Sequence, residues 1–210
     1  MDTNVPDDVA GLQGQLDAAA VEADALVAGL AEEDGAWRAE AGSWSVAECL
    51  DHLATSNRVY LSAMREPAHR ARTRGRYRWR PARPGWVGRC FVSSLEPPAR
   101  WWSRLKAPRI IRPRAAPPLA EAYASFVASQ AEVRAFLRAC ADLDLAGVRF
   151  PNPLVRGIRF SLATGLHVIA AHERRHLWQA WRIRRAMERA GRYPNNSGQC
   201  DRVTTSCGSP

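Results

Sequence analysis

The chain has 210 residues, 46% of them hydrophobic, and a formal net charge of +9. That length buries one sizeable core and falls short of two ordinary domains. No stretch approaches the roughly 20 apolar residues a membrane-spanning helix needs, and the acidic start MDTNVPDDVA is unlike a signal peptide, so a cytoplasmic protein is expected.

Cysteines at 49, 90, 140, 200 and 207 form no CxxC pair, and reduced thiols are expected from their odd, scattered distribution. The charge is strongly segregated. Residues 65–114 carry fifteen Arg and Lys against Glu66 and Glu96, a local +13 that leaves −4 for the rest. Only Lys106 is lysine, and charge alone does not assign a nucleic-acid partner.

In chain order, the first element is an amphipathic helix over about 6–33, with Val9, Leu12, Leu16, Ala19, Ala23, Leu26, Val27 and Leu30 three and four apart. Gly35 and Gly42 break it. Ser45 followed by Glu48 forms a capping box, which opens a second helix over about 45–66, ending near Pro67. Residues 67–117, with RTRGRYRWRPARPGW, EPPARWW and APRIIRPRAAPP, hold too much proline for regular helix and read as a crossover containing at most a short helix around 92–105. Pro117 and Pro118 start a third helix over about 118–143, and after an irregular stretch with Gly147, Pro151 and Pro153 a fourth runs over about 160–190. The polar tail 191–210 is expected to be disordered. With no alternating strand pattern, the expected fold is all-α: a four-helix bundle over 6–190 with a long crossover between its second and third helices.

The chemistry lies in HERRH on the fourth helix. His172 and His176 differ by about 40° around a helix and about 6 Å along it, so both imidazoles can reach one metal ion. Val168, Ile169, Gln179 and Ile183 share that face, which therefore turns inward. A single inward histidine is more often a hydrogen-bonded core residue. A pair at ligand spacing is better satisfied by a metal, because burying two imidazoles without partners costs free energy. His167, about 140° around from His172, is excluded.

HERRH also satisfies HExxH, the signature of zinc peptidases in which the glutamate, here Glu173, is the base. That reading needs a third ligand downstream, where Glu188 is the only carboxylate on the helix and lies about 120° away. Glu173 itself lies about 80° from the centre of the histidine face, where a surface ion pair with a neighbouring arginine competes with a catalytic role.

WSVAECLDHL at the start of the second helix, together with HVIAAHERRHLWQA in the fourth and SLEPPARWWSRLKAPRIIRP in the crossover, resembles the DinB/YfiT-like superfamily over about 12–189. The resemblance implies a tryptophan and cap opening the second helix, Trp44 and Ser45, and a third metal ligand, His52, beside the pair His172 and His176. Helix geometry alone does not select His52, which sits about 120° from its helix's apolar stripe with Ser56 and Val59. The family further implies a metal-dependent hydrolase, or a transferase using a low-molecular-weight thiol such as mycothiol or bacillithiol. Three imidazoles leave an open coordination position for a small-molecule reaction, and zinc and nickel both accept such a set. Whether the subunit forms a homodimer is left open.

Glu48 and Asp51 are expected not to touch the metal, being assigned to capping and to solvent. Cys49 is expected to be a buried thiol. A rival class is binding without catalysis, to nucleic acid or a membrane surface, through the basic crossover and Tyr77, Trp79, Trp86, Trp101 and Trp102. Against it stands the plainer expectation of a solvated loop whose tryptophans pack on the bundle, with nucleic acid not expected as a partner.

Overall fold

A computed structural model describes residues 6–98 and 107–192. The tail from residue 193, Trp101 and Trp102 lie outside these. The order is α1 (Asp7–Val27), α2 (Glu32–Ala36), α3 (Val46–Thr73), α4 (Trp86–Leu95), a 3-10 turn (Arg109–Ile111), α5 (Leu119–Ala139), β1 (Arg149–Pro151), β2 (Arg159–Ser161) and α6 (Leu162–Arg189). The four long helices α1, α3, α5 and α6 form an all-α bundle. Its main contacts run α3 to α5, α3 to α6, α1 to α6 and α1 to α5, so each helix has two neighbours in a closed ring.

Local chemistry explains where these helices start. At α3 the capping box is complete: Glu48 N donates to Ser45 Oγ at 3.2 Å and Ser45 N to Glu48 Oε2 at 2.9 Å. Thr164 N donates to Ser161 Oγ at 3.1 Å at the head of α6. Pro118 has no side chain able to cap α5; there Glu32, from α2, accepts from Leu119 N at 2.6 Å and Ala120 N at 2.9 Å.

Four sequence expectations are revised. The first helix stops at Val27, with Gly29 at φ 75°, and a separate α2 follows, from which Glu32 reaches the start of α5. The second runs on past Pro67 to Thr73: Pro67, Ala68 and Ala71 are buried, and tertiary packing outweighs the lost backbone bond. A crossover helix runs over 86–95, starting before the expected 92, while residues 99–105 of the expected helix lie outside the described residues. Residues 149–161 hold a small antiparallel hairpin pairing Phe150 with Phe160, too short for alternation to announce it.

The core is divided. One apolar cluster includes Val9, Leu12, Leu16, Leu61, Met64, Leu137, Phe150 and Leu166; the other includes Leu26, Leu50, Leu53, Phe126 and Leu177. Between them, at the middle of α3, α5 and α6, lies a buried polar layer of Ser56, Asn57, Ser129, Gln130 and Glu173. Glu173 is fully buried and accepts from Asn57 Nδ2 at 2.8 Å and Gln130 Nε2 at 2.7 Å, which replaces the expected surface ion pair.

Candidate metal centre

His52 stands on the second turn of α3, while His172 and His176 occupy successive turns of the neighbouring α6. One ring nitrogen from each lies within 4.8 Å of the other two, and His52 Nε2 is 3.2 Å from His172 Nε2. Among the described residues no cysteine or carboxylate joins this group. His52 and His176 are buried and His172 is half-buried. Trp44, just before α3, packs on two of the rings, with centroids 4.7 Å from His52 and 5.5 Å from His176.

Hydrogen bonding sets the tautomers. His52 Nδ1 lies 2.5 Å from the Ile111 carbonyl oxygen, so Nδ1 carries the proton and Nε2 presents a lone pair. His176 Nδ1 is 3.0 Å from Gln179 Oε1, which likewise places its proton on Nδ1. Two lone pairs are thus directed from buried rings toward one region. That arrangement suits a metal ion, with each outer ring nitrogen tied to an oxygen, the usual partner of a ligating imidazole.

The electrostatics favour the neutral form that binds metal. Burial pulls His52 down to about 4, outweighing the Ile111 bond and the Asp51 charge, both of which raise it. His172 is held well below its ordinary value by burial first, then by His52 and Arg175; His176 by burial, then His172, His52 and Arg175.

A strap from the crossover covers the α3 shoulder that carries His52. Ile111 is buried beneath it, and Arg114 donates from its backbone N to Asp51 Oδ2 and from Nε to Asp51 Oδ1, both at 2.8 Å. Asp51 and Glu48 are therefore outside the cluster, but not for the expected reason: Asp51 is buried and clamped, not solvent-exposed. Glu48 serves its cap and pairs with Arg38 at 2.6 Å. Cys49 is fully buried among Leu50 and Leu53, and burial pushes its thiol far up, so no thiolate is available there. His167 lies against Ala82, away from the cluster. Sequence reading missed Ile111, Arg114 and the Gln179 contact; a backbone carbonyl leaves no signal in residue type, while Gln179 was visible on the histidine face.

A family model described as the DinB superfamily matches residues 15–180. No curated protein and no solved structure matches the chain.

Proposed function

The chain belongs to the DinB superfamily, and from that premise we propose that it is a metal-dependent enzyme using His52, His172 and His176 as ligands of one divalent transition ion, zinc or nickel. The observation that carries this reading is the convergence of three neutral imidazoles from two helices, with two Nε2 atoms 3.2 Å apart and proton-bearing Nδ1 atoms engaged elsewhere. A three-imidazole set leaves a coordination position free, and an ion held there would lower the pKa of a bound water or thiol.

The reaction is read as hydrolysis or as transfer from a low-molecular-weight thiol such as mycothiol or bacillithiol. Either way the nucleophile comes from outside the chain, because no cysteine or carboxylate of the described residues shares the cluster. In this proposal His52 and His176 are held by Ile111 and Gln179, Trp44 shields the rings from water, and a small-molecule substrate meets the free position. Arg175 adds positive charge that favours an anionic nucleophile.

The zinc-peptidase alternative asks Glu173 to act as base beside the ion. Both of its oxygens instead accept hydrogen bonds from Asn57 and Gln130 in the polar layer. That favours the DinB-like reading.

The test is metal analysis of untagged protein purified without chelator, expected to give about one zinc or nickel per chain. Protein that neither retains nor takes up metal, or a His52→Ala, His176→Ala double variant with full occupancy, would overturn it.

A further inference from the structure

Trp79 and Trp86, the two crossover tryptophans among the described residues, do not pack on the bundle as expected. Trp79 is 74% exposed and Trp86 73%, accompanied by Tyr77, Val87, Val155 and Ile158; among the described residues the other exposed large apolar side chains are only Val21, Ile110 and Val127. These six are gathered at one end of the molecule. Arg76 and Arg80 both reach Asp144, and Tyr77 bridges Leu143, which fixes the first part of the segment near the end of α5. Gly88 closes on Thr164, where a Cβ would meet Oγ1 at 2.6 Å, and Phe91 packs on Phe160 with centroids 5.1 Å apart. Thus α4 lies against the hairpin whose loop carries Val155 and Ile158.

The same end is basic. No Asp or Glu occurs between Glu66 and Glu96, a span with eight arginines. Asp8, Asp142 and Asp144 neutralise several of them, but exposed Arg74, Arg83, Arg89, Arg149 and Arg156 have no acidic partner among the described residues.

We propose that this end of the molecule, presenting Trp79, Trp86, Val87, Val155 and Ile158 within a field of unpaired arginines, docks on an anionic lipid surface. Tryptophan and tyrosine sit well at the headgroup boundary, aliphatic tips gain from the acyl region just beneath it, and each arginine gains from anionic headgroups. Val87, Val155 and Ile158 have no ring face on which to stack a base, which favours lipid over single-stranded nucleic acid. A second copy of the chain is disfavoured by charge, because a two-fold contact would set this arginine-rich patch against itself. His52 lies 21 residues before the end of α3, roughly 30 Å along the helix, so docking at this end leaves the histidine cluster clear of the bilayer. The surface stands independently of the metal reading.

The experiment is co-sedimentation of the full chain with vesicles of phosphatidylcholine alone and of phosphatidylcholine mixed with phosphatidylglycerol. Binding is expected to be at least about tenfold stronger to the anionic vesicles and to fall steeply with salt. A Trp79→Ala, Trp86→Ala variant and an Arg83→Glu, Arg89→Glu variant should each lose at least about tenfold of that binding while keeping wild-type helicity and metal content, since all four side chains face solvent. Equal binding to neutral vesicles, or full binding by the tryptophan variant, overturns the proposal. So does failure to bind the anionic vesicles, and tight, salt-dependent binding of a single-stranded oligonucleotide or self-association that the tryptophan variant abolishes would then identify the occupant instead.

Discussion

His52 and Ile111 are 59 residues apart in sequence, yet the imidazole Nδ1 of one meets the backbone carbonyl oxygen of the other at 2.5 Å. The contact ties the crossover to the candidate metal centre and selects which nitrogen of His52 faces the cluster. Three residues further along the same strap, Arg114 grips the buried Asp51 by two hydrogen bonds.

Loosening that clamp should therefore weaken metal binding without removing a ligand. Arg114→Ala is expected to cost about ten- to a hundredfold in metal affinity, the usual effect of losing a residue that orients a ligating histidine. Competition with a chromogenic chelator would measure it, with circular dichroism reporting unchanged helicity. Wild-type affinity in the variant would show that the strap plays no part in the site.

Removing a proposed ligand is a harsher change. His172→Ala or His176→Ala should abolish stoichiometric metal uptake while leaving a helical spectrum, because the apolar stripes of α6 through Leu166, Ile169, Leu177 and Ile183 remain buried. Thermal melts should then no longer rise on addition of zinc or nickel, whereas the wild type gains stability in proportion to the logarithm of metal excess.

Acid should destabilise the metal-free protein through the same histidines. Burial lowers His52 to about 4 from an ordinary 6.5, so its contribution is present above about 6.5 and is lost as pH falls toward about 4, when the unfolded chain binds the proton first. A shift of that size corresponds to about 3 kcal/mol across the window. Melting metal-free protein in chelator between these pH values should show the loss, and His52→Gln should lessen it, with His172 and His176, also lowered by burial, still contributing.

Glu173 should act in the opposite sense. Burial raises its carboxyl to about 8 from 4.5, so its contribution is complete below about 4.5 and is lost as pH rises through about 8. At neutral pH the protonated acid needs an acceptor, and Asn57 Oδ1 and Gln130 Oε1 are both without a partner. Rotating either amide supplies one. Glu173→Gln reproduces this pattern of one acceptor and one donor, and is expected to melt no lower than wild type at pH about 8, with metal affinity unchanged. A loss of more than about 1 kcal/mol in that variant would contradict this account of the polar layer.

Elements that depend on near neighbours are legible along the chain. The apolar spacing that makes α1, α3, α5 and α6, the Ser45–Glu48 cap and the pairing of His172 with His176 on one face are all consequences of 3.6-residue periodicity. What depends on distant partners emerges with the folded packing alone. Pro67 lies within α3 because the residues after it are buried, a circumstance that local propensity does not contain. His52 stood off its apolar stripe, and resemblance alone singled it out, because the strap that buries that shoulder arrives from residues 109–114. Asp51 and Glu173 looked like surface charges for the same reason: each is buried by chain more than 40 residues away, and an isolated helix cannot reveal which of its polar positions another segment will cover.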